Sequence, residues 1–203
     1  MKKFAAALLA FSVFFILSCS STHNFINKDV NPKSKIAVII GETKYSAESA
    51  SYAKHFTAGL AGGSRLTVLT QNQVKAALGT YPERIQGPYK VIGMEKPKMD
   101  YTRHDLDRLA AIAKKLNVQY LYVFWFAQSV KEIAGKDEVT KYWYVGELIE
   151  FPSRRIIAQA DSTMFYFGKD TGVGDAPRSI EDMCKVFSEM YVKDIINNTG
   201  IAK

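Results

Sequence analysis

The residues of this 203-residue chain that could do chemistry are few and badly spaced for it. His23, His55 and His104 are the only histidines, and none has an HExxH, paired-histidine or cysteine–histidine neighbour of the kind that builds a metal site. No GxSxG nucleophile motif occurs. Residues 168–174 (GKDTGVG) have the composition of a phosphate loop without the GxxxxGK[ST] spacing, and Asp175 and Pro177 follow at once. Glu147, Glu150 and Asp161 fall in strand-like sequence. They could meet as an acid pair, although outward alternation on a sheet surface accounts for them equally. Cys184 lies in a helical apolar stripe, where a buried thiol is the ordinary outcome. The reading is of a chain with no catalytic residues, no metal and no cofactor.

Cys19 has a different chemistry. Met1-Lys2-Lys3 is followed by a nearly unbroken apolar run to Leu17, then Ser18 and Cys19. A charged start, a short apolar core and a small residue at the cleavage point read as a secretory signal. A cysteine at that point resembles a bacterial lipoprotein signal. The resemblance implies cleavage after residue 18 and acylation of Cys19, which would hold the protein to a membrane. Leu17 stands where that pattern usually has a smaller residue. The apolar run is shorter than the roughly twenty residues a membrane-spanning helix needs. Ser20, rather than Asp, follows the cysteine, which by analogy with enteric sorting favours the outer membrane and a domain facing the periplasm.

An exported chain meets no nucleic acid, so its formal charge of +7 is not a nucleic-acid signal. Removing residues 1–18 takes away Lys2 and Lys3 and leaves about +5, a modest excess suited to anionic neighbours such as lipid headgroups. The two cysteines are Cys19 and Cys184, so a lipidated Cys19 leaves no internal disulfide.

The elements that would position any site follow from periodicity and caps. Residues 19–34 are polar and read as a lipidated tether, with a reach of roughly 50 Å if extended. A single domain is expected over 35–203. KIAVII (35–40) is a buried strand, 46–60 a helix, RLTVLT (65–70) a strand, and Thr70 to Gln73 a capping box opening a short helix closed by Gly79. Residues 80–101 contain Pro82, Pro88 and Pro97 and form an irregular insertion, with a short strand conceivable at 90–92. A helix starts near Asp105 and ends at Asn117. Three strands follow, at 118–130, 139–151 and 156–167, and Ser179 caps a last helix ended by Gly200. The expected fold is α/β (α+β), with one mixed five-stranded sheet, helices on at least one face and the order β-α-β-α-loop-α-β-β-β-α.

The meander is rich in aromatic residues. Tyr120, Tyr122, Phe124 and Phe126 share one strand face, and Leu121, Val123 and Trp125 share the other. Core packing accounts for most of them. Tyr142, Tyr144 and Tyr166 carry polar ends and are the candidates for an exposed partner-binding surface.

The lipobox cysteine, the KIAVII strand soon after a polar tether, and a helix running into AKKLNVQYLYVFWFAQSV with a strand meander behind it together resemble a group of periplasmic lipoprotein domains. That group includes LpoB, CsgG and the N-terminal domain of TolB, and the resemblance covers about 35–203. It implies a small lipid-anchored domain that binds other envelope proteins as accessory, scaffold or activator. Homo-oligomerisation stays open. The chain departs from the group in two ways. It has no spare pair of lipid-facing strands for a CsgG-like pore, and its tether is too short for the reach of an LpoB-like activator. The alternative reading is a periplasmic small-ligand or glycan-binding lipoprotein that uses the 80–101 insertion as a lid.

Overall fold

The computed structural model describes residues 24–41, 46–81, 84–93, 97–103, 105–134, 137–167 and 179–203. Within them the elements run β1 (Asn24–Phe25), β2 (Lys35–Ile40), α1 (Ser46–Gly63), β3 (Thr67–Val68), α2 (Gln71–Leu78), β4 (Tyr89–Lys90), β5 (Lys98–Met99), a single 3-10 turn (Tyr101–Arg103), α3 (Leu106–Leu116), β6 (Tyr120–Ala134), β7 (Asp137–Glu150), β8 (Arg155–Phe167) and α4 (Ile180–Thr199).

The main sheet is mixed, in the order β1-β8-β7-β6-β2-β3. β2 runs parallel to both β3 and β6, and β6, β7 and β8 form the antiparallel meander. The five expected strands are present. The sixth, β1, comes from the segment expected to be free tether. It pairs antiparallel with β8, Asn24 opposite Gln159 and Phe25 opposite Ala158.

Helices cover both faces. On the first face, α1 and α4 bury Tyr52, Phe56, Leu60, Phe187, Tyr191 and Ile195 against Ile36, Val38, Tyr122, Phe124 and Tyr144. On the second, α2 and α3 bury Val74, Leu78, Leu109, Ile112 and Leu116 against Ile39, Val123, Trp125 and Val145. The alternation read along 120–126 is therefore a division between two apolar layers, which is why the central strands are apolar throughout. A bulge between Phe126 and Gln128 reverses the alternation of β6, so that Val130 joins Trp143 on the second face.

The caps are local and form as the sequence specifies. Thr70 and Gln73 make both halves of a capping box, Asp105 accepts from the Arg108 N–H, Ser179 accepts from the Asp182 N–H, and Asn117 and Gly200 end their helices in the left-handed conformation. The insertion carries the two-stranded ribbon β4–β5, separate from the main sheet. It is fixed by Trp125, whose indole N–H donates to the Ile85 carbonyl at 3.0 Å.

Candidate functional site

Tyr142 and Tyr144 were expected at an exposed binding surface, and the structure corrects this. They are 3% and 0% exposed, on the face that α1 and α4 cover. Tyrosine tolerates that burial because its hydroxyl finds partners inside. The Tyr52 hydroxyl donates to the Tyr144 oxygen at 2.9 Å, and the Tyr122 and Tyr144 hydroxyls lie 2.6 Å apart. Tyr191 stacks on Tyr144 with ring centroids 4.9 Å apart and hydrogen-bonds Ser162. Burial pushes the hydroxyls of Tyr52, Tyr122 and Tyr144 well above the ordinary tyrosine range, so they remain neutral donors. The backbone of Tyr166 pairs with Thr140, and its side chain lies outside the described residues. Cys19, His23, His104 and the 168–174 loop lie outside them as well.

The remaining candidates are scattered. The His55 Nε2 is 3.1 Å from a Glu181 oxygen that also takes the Lys54 ammonium at 3.3 Å, on the outside of α1 and α4. Cys184 is buried and its thiol points at the Glu48 carbonyl, and burial pushes its pKa up to about 12, so it is a poor nucleophile. Among the described residues no cluster of histidine, cysteine and carboxylate could hold a metal. The strand carboxylates do not converge on one point. Glu150 stands at the end of β7 with Tyr120, on the first face. Glu147 is buried on the second face, where its carboxylate accepts from the Gln159 amide at 3.0 Å, and Asp161 is its diagonal neighbour. Outward alternation at a sheet surface therefore does not hold for Glu147.

Two places combine polar groups with space. The first is a cleft of about 610 Å³ between the N-terminal segment, the β7–β8 turn and the end of α4, lined by residues including Lys28, Asn31, Tyr120, Glu150, Arg155 and Thr199. Its charges answer one another. The Arg155 guanidinium donates from Nε and Nη2 to the two Glu150 oxygens at 3.0 and 3.2 Å. The Ser153 hydroxyl adds a bond at 2.7 Å and the Tyr120 hydroxyl one at 3.2 Å. These donors, Ser153 foremost, hold the Glu150 carboxyl below the usual range. Arg155 also reaches the Asp29 carbonyl at 3.3 Å, and the Asn31 N–H donates to the Tyr120 oxygen at 3.1 Å. The cluster is a clamp that fastens residues 29–31 to the sheet. It was not read from the sequence, although Glu150 and Arg155 flanking a Pro152-Ser153 turn were its signal.

The second place is a polar pocket of about 390 Å³ at the base of the insertion, lined by Arg84, Gln86, Gly87, Tyr89, Arg103 and Asp105. Asp105 is committed to capping α3. The two guanidinium groups and the Gln86 amide suit a small anion carrying carboxylate or phosphate. Gly87 lets the chain pass close to Tyr89 and Trp125, where an added Cβ would lie 2.5 and 3.0 Å from their rings.

No family model and no curated protein matches this chain. Solved structures do resemble it in fold. The PelC dodecamer from Paraburkholderia phytofirmans is 11% identical over 91% of this chain and 100% of that one, with a TM-score of 0.48. Lipoprotein GNA1162 from Neisseria meningitidis is 10% identical over 81% of this chain and 99% of that one, with a TM-score of 0.49. The LpoB C-terminal domain from Salmonella enterica is 15% identical over 68% of this chain and 86% of that one, with a TM-score of 0.35. Lipoproteins are thus among the structures it resembles, and at these scores the likeness says nothing of what this chain does. No helix among the described residues is long and apolar enough to cross a membrane.

Proposed function

We propose that this chain is a lipid-anchored envelope protein that acts through protein–protein contact, as accessory, scaffold or activator of an assembly at its own membrane, without catalysis. The observation that carries the reading is the docked N-terminal segment. The tether expected over residues 19–34 is largely built into the domain. Asn24 and Phe25 extend the sheet, the Ile26 and Asn27 N–H groups donate to the Ile157 carbonyl, Val30 is buried, and Arg155 and Tyr120 hold Asp29 and Asn31. Five residues remain from Cys19 to His23, a reach of about 17 Å rather than about 50 Å. A domain acylated at Cys19 and held so closely meets partners that reside at the membrane, and it cannot reach across the periplasm. By the Ser20 argument that membrane is the outer one, with the domain on its periplasmic side.

Crosslinking in cells followed by affinity purification tests this. The chain with native Cys19 is expected to capture a defined envelope protein, and the Cys19→Ala chain is expected to lose it. Capture of the same protein by both forms would contradict a role that depends on the anchor.

The pocket at Arg84 and Arg103 favours one second reading, a small anionic ligand such as a cell-wall fragment. A thermal-shift screen with acidic muropeptides separates the two. Stabilisation that disappears in Arg103→Ala supports the ligand reading, and no stabilisation removes it.

A further inference from the structure

One end of the sheet gathers exposed cations. β2 and β3 begin there side by side, with Lys35 opposite Thr67. The ends of α1, α3 and α4 meet them, through the Lys203 N–H on the Gly63 carbonyl, the Gln119 N–H on the Lys35 carbonyl and the Arg65 N–H on the Ile201 carbonyl. The segment from Lys28 to Lys35 closes this end. Asn31-Pro32-Lys33-Ser34 is a β-turn with proline at its second place, the Ser34 N–H donating to the Asn31 carbonyl at 3.1 Å. The Lys33 N–H donates to the Asn31 side-chain oxygen, also at 3.1 Å. Val30 is buried, the Asn31 N–H is held by Tyr120, and the Thr67 N–H donates to the Ser34 carbonyl at 2.9 Å. Lys28, Lys33 and Lys35 are exposed on this fixed frame, and exposed Arg65 stands beside them.

Cations near helix ends are ordinary, because they offset the carbonyls of the last turn. Arg65 does this, its Nη2 donating to the Gly200 carbonyl at 2.7 Å, and so does Lys203, its Nζ donating to the Ala61 carbonyl at 2.6 Å. Lys28, Lys33 and Lys35 do not. Among the described residues their ammonium groups meet neither a carboxylate nor a helix carbonyl. Most carboxylates of that end are engaged. Glu150 takes Arg155, and Asp194 accepts from the Asn198 amide at 2.9 Å, while Asp29 stays exposed within the turn. The turn is also one wall of the 610 Å³ cleft, with Lys28 and Asn31 facing Asn198 and Gly200 across it. Of the exposed large hydrophobic side chains only Ile26 comes near, two residues before Lys28. The surface therefore lacks the apolar area of an interfacial bilayer contact. It suits an extended chain that carries carboxylates.

We propose that the Lys28–Lys35 turn, with Arg65 and the cleft beside it, takes an acidic segment of the envelope protein that this chain contacts. This rests on the protein–protein reading above. Carboxylates of the segment meet Lys33, Lys35 and Arg65 on the outside and Lys28 at the cleft. Exposed charge contacts of this kind govern the choice of partner and the rate of encounter, and they weaken as salt is added. The turn is held by proline and its own hydrogen bonds before any partner arrives, so binding does not bear the cost of ordering a loop.

The test titrates the full chain, in a nonionic detergent, against a fluorescein-labelled peptide of alternating glutamate and serine, read by anisotropy. Lys33→Glu with Lys35→Glu is expected to weaken binding by roughly tenfold. Lys90→Glu with Lys185→Glu makes the same change in net charge at exposed positions elsewhere and is expected to weaken it by less than about twofold. Equal losses in the two double variants, or no binding by the parent chain, overturn the assignment of this surface. Glycerophosphoglycerol, the water-soluble headgroup of phosphatidylglycerol, is expected to leave the peptide bound. Displacement by it at a charge concentration where free glutamate displaces nothing overturns the peptide in favour of lipid phosphate. In cells, the protein crosslinked by the parent chain is expected to be lost from Lys33→Glu with Lys35→Glu. Its retention overturns this surface and leaves the protein–protein reading standing, whereas capture of no protein by the parent chain overturns that reading instead.

Discussion

Tyr144 joins the central strands to both helices of the first layer. Its oxygen takes the Tyr52 hydroxyl of α1 and meets the Tyr122 hydroxyl of β6, and its ring stacks on Tyr191 of α4. Buried hydroxyls are costly when left without partners, so removing this shared oxygen should cost more than one ordinary hydrogen bond. Tyr144→Phe is expected to lower unfolding stability by about 1–3 kcal/mol, read as a shift in the urea midpoint. An unchanged midpoint would show that Tyr52 and Tyr122 re-pair without it. Gly146 belongs to the same arrangement, because a Cβ there would lie 2.5 and 2.6 Å from the Tyr122 and Tyr144 hydroxyls. The sequence shows Tyr144 with a polar end and so points it outward. What it hides is that the hydroxyls of Tyr52, Tyr122 and Tyr144, from three elements, satisfy one another while Ser162 partners Tyr191, which only the assembled layers bring about.

At the scale of elements, the clamp between the β7–β8 turn and the N-terminal segment has a pH signature. Glu150 titrates below its ordinary range because Ser153, Arg155 and Tyr120 hydrogen-bond its charged form. A depressed folded value means stability that is complete above the unfolded carboxyl range, near 4.3, and lost as pH falls through the folded value. Glu150→Gln is therefore expected to lower stability at pH 7 by up to about 1 kcal/mol, since the pair is partly solvated. The gap to the parent chain should close on acidification. A gap of constant size between pH 7 and pH 3 would contradict the clamp. The elements with local signals were legible beforehand. Thr70 with Gln73, Asp105, Ser179 and Gly200 sit where caps must sit, and the apolar runs at 35–40 and 120–126 alternate as strands. β1 was not legible, because a two-residue strand has no periodicity and exists only by pairing with β8. Of the ribbon only a short strand at 90–92 was anticipated, overlapping β4, and its partner β5 has no periodicity of its own. The candidate site fared worse than the fold, since the clamp and the arginine pocket bring together residues far apart in the chain.

For the whole molecule, what matters is the distance between the folded domain and its membrane. A tether of fifteen residues would let the domain roam. On the proposed anchoring, five residues beyond a docked strand would hold the β1–β8 edge close to the lipid. The proposed partner contact depends on Cys19 being the first residue of the mature protein and carrying lipid. The most direct measurement is the intact mass of the protein extracted from the membrane fraction, with the fragmentation spectrum of its N-terminal peptide. The account predicts a chain that begins at Cys19 and carries the added mass of a diacylglyceryl group. A chain that begins elsewhere, or at Cys19 with a free thiol, would contradict it.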